Sequence, residues 1–302
     1  MYNIDYYIKT ELLTLIEKAN NVRKKYINKF DVCTIINAKS GKCTEDCKFC
    51  AQSGKHKTEI DIYGLKSTDE ILTAAENAKN IGSHRFGIVT SGNKLSKAEL
   101  DSICDSISKI VNDIGLDVCG SLGALSEESL TKLKQSGMTR YHHNIETSPN
   151  HYKNIVTTHN FDERLSTIKI AKKLGFGVCS GGIIGIGESW QDRFDMAQIL
   201  KDLDVDSVPL NILVPIEGTE LENIEPISSK DVIRTICMFR MILENTPIKI
   251  AAGRETKLKD FQALGFMAGA TGMLIGGYLT VKGSQVEEDQ KLIEEVYKLW
   301  NA

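Results

Sequence analysis

Short, apolar, β-branched runs that end near glycine alternate along this 302-residue chain with longer stretches whose apolar residues recur at helical spacing. The short runs are Asp31–Asn37, Arg85–Thr90, Leu116–Leu122, Arg140–Glu146, Gly177–Ile184, Ser207–Leu213, Ile248–Ala252 and Gly272–Ile275. They read as strands buried on both faces of a parallel sheet. The helices between them have legible starts. Ser67 with Glu70 and Ser96 with Glu99 fit a capping box, in which hydroxyl and carboxylate satisfy free N–H groups at a helix start. Asn160 with Glu163 resembles one, and Ser126 and Ser189 read as N-caps. Eight strand–helix units in about 250 residues are the arithmetic of a (β/α)8 TIM-type barrel. An open doubly wound sheet is the alternative, because strand order is not visible in a sequence. Tyr2–Asn28 reads as a leading helix outside the repeat and Val286–Leu299 as a closing one. The expected organisation is one domain over 1–302, with an N-terminal helical extension (1–29), the barrel (30–283) and a closing helix (284–302).

Composition narrows the function classes. Lys and Arg total 37 against 40 Asp and Glu, a formal net charge of −3, so no bulk basic field favours nucleic acid or an anionic membrane. Met1–Thr10 carries Asp5 among tyrosines and lacks the basic-then-apolar pattern of a signal peptide. The longest weakly polar run, Phe266–Val281, contains four glycines and is shorter than a bilayer requires. A cytoplasmic protein is expected. Eight cysteines are too sparse for a disulfide scaffold, and their spacing carries the information.

After the first strand comes Gly41-Lys-Cys43-Thr-Glu-Asp-Cys47-Lys-Phe-Cys50, a Cys-x3-Cys-x2-Cys loop placed where barrel chemistry belongs, at a strand's C-terminal end. A structural zinc site needs a fourth ligand, and no Cys or His follows until His56. Three cysteines on a four-iron cluster leave one iron open instead. A zinc loop with a distant fourth ligand, or three unrelated thiols, are the plainer possibilities.

With Phe49 before the last cysteine, the loop resembles the signature of radical S-adenosylmethionine enzymes. Five blocks follow in order: Gly41–Ser53, Tyr141–Pro149, Val178–Glu188, Ser207–Asn211 and Ala252–Glu255. Together they resemble the biotin synthase family, from about residue 30 to residue 290. The resemblance implies a [4Fe-4S] cluster on Cys43, Cys47 and Cys50 and S-adenosyl-L-methionine on its open iron. Reduction then releases methionine and a 5′-deoxyadenosyl radical. It implies dethiobiotin as substrate, a low-potential electron donor such as flavodoxin or ferredoxin, supply by iron–sulfur assembly machinery, and a homodimer. Sibling radical enzymes of the hydrogenase-maturation or methylornithine-forming type are the nearest alternative; Cys119, Cys179 and Arg254 together with Asn211 discriminate against them. A zinc or iron–sulfur binding module is the non-enzyme alternative.

The same resemblance implies an auxiliary iron–sulfur cluster as sulfur donor, held by cysteines on strands two, three and five and an arginine on strand seven. Cys119, Cys179 and Arg254 match three of these positions, whereas the strand-two position is Gly87. Cys33, on strand one, is a spare thiol. Strands one, three, five and seven are alternate strands, and a barrel layer is built from four such strands. Cys33, Cys119, Cys179 and Arg254 are therefore expected to converge, an arrangement that argues against the usual two-iron form and leaves room for a four-iron one.

For S-adenosylmethionine, the resemblance assigns Asn144 and Glu146 to the ribose, Arg164 to the methionine carboxylate, and the backbone around Ile183 in Gly182–Glu188 to adenine, beside Phe49. For dethiobiotin it assigns Asn144 and Asn211 to the ureido ring and Thr280 to the carboxylate, next to Val281 where a second threonine is usual. His142 and His143 receive no role. Cys104 and Cys237 lie in helical patterns and read as packing residues.

Overall fold

The computed structural model describes residues 3–280 and 283–301. Nine parallel strands form one sheet: β1 (Asp31–Lys39), β2 (Arg85–Thr90), β3 (Asp117–Ser121), β4 (Arg140–His142), β5 (Gly177–Cys179), β6 (Gly182–Ile184), β7 (Val208–Ile212), β8 (Ile248–Ile250) and β9 (Gly272–Leu274). β1 pairs with both β2 and β9, so the sheet curls back on itself. At the far side β5 pairs with β4 and β6 with β7. β5 and β6 are two halves of one interrupted strand, with bridges Cys179–Ser207 and Glu146–Gly182 across the break. The ring has eight staves, and the expected barrel is the observed architecture.

The interruption corrects the expected continuous strand Gly177–Ile184, and its cause is close packing. A Cβ on Gly181 would stand 1.9 Å from the Pro209 carbonyl oxygen, and one on Gly182 would stand 2.2 Å from that of Glu146. Only glycine lets these neighbouring backbones approach so closely. The fourth strand, expected to reach Glu146, stops at His142; Glu146 itself adopts φ +65°, a left-handed conformation uncommon outside glycine.

All three expected capping boxes form, and Ser189 makes a fourth with Asp192. The leading helix is broken in two, Ile4–Lys9 and Leu12–Tyr26. Thr10 Oγ1 donates to the Tyr6 carbonyl at 2.6 Å, and Glu11 restarts the helix by accepting from Thr14 N–H at 2.8 Å. The closing helix, Val286–Trp300, meets the leading one beneath the barrel. There Phe30, just before β1, packs on Phe266 and Trp300 at 5.0 and 5.7 Å, and the Arg23 guanidinium lies 4.1 Å from the Trp300 ring. Burial of these rings closes the N-terminal end of the barrel and leaves its other end for chemistry. Among the described residues no helix is long and apolar enough to cross a membrane.

Candidate active site

The thiol loop begins where β1 ends and folds back over the barrel mouth. Cys43 N–H donates to the Gln52 carbonyl at 3.0 Å, Gly54 N–H to that of Cys43 at 2.7 Å, and Cys50 N–H to that of Cys47 at 2.9 Å. Asp46 fastens the loop to the barrel: its carboxylate accepts from the backbone N–H groups of Thr157 and Thr158 at 2.9 and 3.1 Å, and from both hydroxyls. Lys48 N–H adds a bond to the Ile155 carbonyl at 3.0 Å. The three cysteines thus sit on a backbone anchored at several points.

Cys43, Cys47 and Cys50 line a cavity of about 360 Å³ inside the barrel, and so do Cys33, Cys119 and Cys179. All eight cysteines are free thiols, and Cys104 and Cys237 are not part of the lining. Burial, reinforced by Cys43, pushes the Cys50 thiol up to about 11, and burial with Cys50 beside it raises Cys47 as well. A metal that binds here must displace those protons. No three His, Cys, Asp or Glu side chains among the described residues stand close enough to share a single metal ion. Two sets of three thiols spread around one cavity fit polynuclear iron–sulfur groups better than mononuclear zinc, whose ligands crowd about 2.0–2.3 Å from the metal.

Deeper in the barrel, four alternate staves each contribute one residue. β1 brings Cys33, β3 Cys119, β5 Cys179 and β8, the seventh stave, Lys249. Each is at most 3% exposed. Lys249 Nζ is 2.6 Å from Cys33 Sγ and 2.6 Å from Asp31 Oδ2. Burial opposes that ammonium, but Cys33 and Asp31 outweigh it and hold Lys249 above its ordinary range. The layer was expected; its seventh-stave member is not the expected one.

Arg254 does not join the layer. It lies beyond β8, in a short helix that starts after left-handed Gly253. Its Nη2 pairs with Asp289 at 2.6 Å and Glu255 at 3.1 Å, and its Nη1 donates to Gln262. The guanidinium is thereby committed to docking the closing helix. Lys249 carries a signal that sequence reading could have used. Within Ile248-Lys249-Ile250 strand alternation turns the lysine away from the face its neighbours bury, so an isolated charge points into the barrel.

Gly87 has a second significance. It pairs with Ile35 and Cys119 across the sheet. A Cβ there would stand 2.9 Å from Ile35 Cγ2 and 3.4 Å from Cys119 Sγ, so the space of a second-stave ligand is already filled.

Toward the mouth, Phe49, Asn144, Glu146, Arg164, Ile183 and Asn211 all line the same cavity. Asn144 Nδ2 donates to Glu146 at 3.3 Å, while its Oδ1 accepts from Gly181 N–H at 3.2 Å. Asn211 bridges the Gly182 carbonyl and Ala252 N–H at 3.3 and 3.2 Å. Each amide keeps one donor and one lone pair for a ligand. Burial raises the Glu146 carboxyl, with Arg164 and the Asn144 amide pulling the other way.

Thr280 is not brought into the cavity. Asn37 Nδ2 donates to the Leu279 carbonyl at 3.1 Å, and Tyr278 OH to Glu255 at 2.9 Å. Held so, the segment presents Leu279 to the cavity and Thr280 to an adjoining groove beside Tyr63. Val281 lies outside the described residues. His142 and His143, given no role in the sequence, both line the cavity. Burial, with Arg164 and His159 nearby, holds His143 neutral, and its Nε2 is unpartnered, as is Oγ1 of Thr90, which also lines the cavity.

Residues 38–211 match the model of the radical SAM superfamily, and residues 209–296 match the biotin and thiamin synthesis associated domain. The chain is 51% identical to the biotin synthase of Thermotoga neapolitana, over 90% of this chain and 98% of that one. It is 49% identical to that of Thermotoga petrophila, over 97% of each, and 44% to that of Clostridium botulinum strain Hall, over 96% and 91%. Solved structures share the fold at low identity. Methylornithine synthase superposes with TM-score 0.83 at 19% identity, covering 98% of this chain and 91% of that one. An FeFe-hydrogenase maturase from Carboxydothermus hydrogenoformans gives 0.80 at 19%, covering 95% and 72%. With relatives this similar along nearly their whole length, the chain belongs to the biotin synthase family of radical S-adenosylmethionine enzymes.

Proposed function

We propose that this chain converts dethiobiotin to biotin by radical sulfur insertion, with Cys43, Cys47 and Cys50 holding the [4Fe-4S] cluster and Cys33, Cys119 and Cys179 holding an auxiliary iron–sulfur cluster. The single observation that carries this is the lining of one barrel cavity by both sets of three thiols. When bound, the four-iron cluster supplies the electron that cleaves S-adenosylmethionine and so makes available a radical strong enough for unactivated C–H bonds.

The protein's own contribution is placement and exclusion of water. Arg164 offers its guanidinium to the methionine carboxylate, Glu146 and Asn144 serve the ribose, and the Ile183 backbone and Phe49 serve the adenosine. Asn144 and Asn211 offer their remaining amide valences to the ureido ring. Lys249 stands in the auxiliary layer as a fixed cation beside Cys33, offsetting the negative charge that three bound thiolates bring. Three thiols without a fourth protein sulfur suit a four-iron auxiliary cluster better than a two-iron one. The low-potential electron comes from a protein donor of the flavodoxin or ferredoxin kind, the clusters from the assembly machinery of the cytoplasm, and the enzyme works as a homodimer.

The test is an anaerobic reaction of reconstituted protein with dethiobiotin, S-adenosylmethionine and a low-potential reductant, followed by mass spectrometry. Biotin formed together with 5′-deoxyadenosine is the expected result. Deoxyadenosine without biotin, in protein shown to hold both clusters, would overturn the substrate assignment in favour of a sibling reaction.

A further inference from the structure

Arg164 is gripped by three partners. Its Nε donates to Tyr152 OH at 2.6 Å and its Nη1 to the Asn144 carbonyl at 3.0 Å, while its Nη2 stands 3.0 Å from His159 Nε2. A guanidinium has five N–H donors and no acceptor. His159 Nε2 is therefore the bare, accepting nitrogen, and the ring's proton sits on Nδ1. That nitrogen lies 2.8 Å from Glu45 Oε2, which accepts the proton's hydrogen bond. A carboxylate at one end and a guanidinium at the other select one neutral tautomer and one ring orientation. The arrangement is shielded: the His159 side chain is 4% exposed and that of Glu45 15%.

The two ends of this chain belong to different parts of the site. Glu45 lies inside the thiol loop, between Cys43 and Cys47, and its carbonyl accepts from Ser53 Oγ at 2.6 Å. Arg164 stands on the helix Phe161–Lys173. Hydrogen bonds thus run without a gap from the loop through Glu45 and His159 to Arg164, with the Glu146 carboxylate 3.7 Å further on. Three of the five guanidinium N–H groups are occupied, which leaves two for a ligand in the cavity that Arg164 lines.

We propose that His159, fixed by Glu45, is a positioning residue for S-adenosylmethionine, which it serves by setting the Arg164 guanidinium in register with the three-thiol loop. The inference rests on the assignment of Arg164 to the methionine carboxylate. A ligand held at one point by the cluster and at another by Arg164 binds well only if the two points keep their spacing, and small misplacements are costly in such sites. Tyr152, on the helix Pro149–Ile155, and the Asn144 carbonyl hold two edges of the guanidinium. Asp46 and Lys48 tie the loop to the neighbouring backbone at Thr157, Thr158 and Ile155, and the Glu45–His159 link carries the tie from the loop to the guanidinium itself.

The experiment measures S-adenosylmethionine affinity by equilibrium dialysis, together with iron content, on anaerobically reconstituted enzyme. His159→Phe keeps a ring and removes both nitrogens, and Glu45→Leu removes the acceptor. Each is expected to weaken S-adenosylmethionine binding about tenfold, the lower end for loss of an outer-shell partner, with iron content as in the parent. Because Glu45 acts through His159, the double variant should bind no worse than His159→Phe. Glu45→Gln, which keeps an oxygen to accept from Nδ1–H, should recover most of the affinity. Unchanged binding in both single variants, additive losses in the double, or loss of iron from both singles would each overturn the positioning role. Arg164→Met separates the two levels. Unchanged affinity in that variant removes the assignment of Arg164 itself, whereas a loss there with none in His159→Phe removes only the role of His159.

Discussion

The Lys249 ammonium stands 2.6 Å from the Cys33 thiol and 2.6 Å from the Asp31 carboxylate, on the inner wall of the barrel. Burial works against the Asp31 charge, yet Lys249 holds that carboxyl below its ordinary range. Removing one member of such a pair leaves the other charge without compensation. Lys249→Met should lower the stability of the cluster-free protein by about 2 kcal/mol, less than the 3–5 of a fully buried pair, because the Asp31 side chain is 29% exposed. The urea midpoint measures it, and Lys249→Arg should recover part of the loss by restoring a cation.

Gly87→Cys should not rebuild a second-stave ligand. Its Cβ would meet Ile35 Cγ2 at 2.9 Å, and overpacking of this kind costs about 1–3 kcal/mol. In a Cys33→Ser background, Gly87→Cys alone is expected to leave the auxiliary iron missing, while Gly87→Cys with Ile35→Ala brings it back. Iron and acid-labile sulfide analysis reads the outcome.

Arg254 is a structural ion-pair residue. Its partner Asp289 is 2% exposed and lies in the closing helix. Arg254→Met should destabilise the protein by about 3 kcal/mol and leave the iron content and cluster spectrum of the folded variant unchanged. Selective loss of the auxiliary cluster's spectrum in that variant would return Arg254 to the ligand set.

Asp192 gives a pH signature away from the thiols. Burial disfavours its charge, but hydrogen bonds from Ser148 and from the hydroxyl and backbone N–H of Ser189 outweigh this and depress its carboxyl. A carboxyl depressed in the folded state contributes stability that is complete above its unfolded pKa, about 3.9, and is lost as pH falls toward the folded value. Asp192→Asn should therefore be less stable than the parent at pH 7 by about 1 kcal/mol, and the gap should close below pH of about 4. Urea midpoints across that range test the sign.

The strands were legible because their residues are apolar on both faces, and the thiol loop because its spacing is rare. What escaped was set by partners distant in sequence. The break in the fifth stave exists because the Pro209 carbonyl presses on Gly181, which no local pattern reveals. Arg254 and Lys249 lie five residues apart, and a motif match favours the arginine; strand parity and the pull of Asp289 decide for the lysine. Thr280 turns away because Asn37 and Glu255 hold its neighbours. His159 shows nothing in sequence that sets it apart from a surface histidine until Glu45 and Arg164 flank it.

The most direct test of the two-cluster account is Cys33→Ala, reconstituted anaerobically and compared with the parent for iron, acid-labile sulfide, 5′-deoxyadenosine and biotin. The three loop thiols are untouched by this change, so deoxyadenosine formation should persist while the auxiliary iron and sulfide are lost and biotin no longer forms. Parental iron and sulfide with parental biotin in that variant would contradict the account.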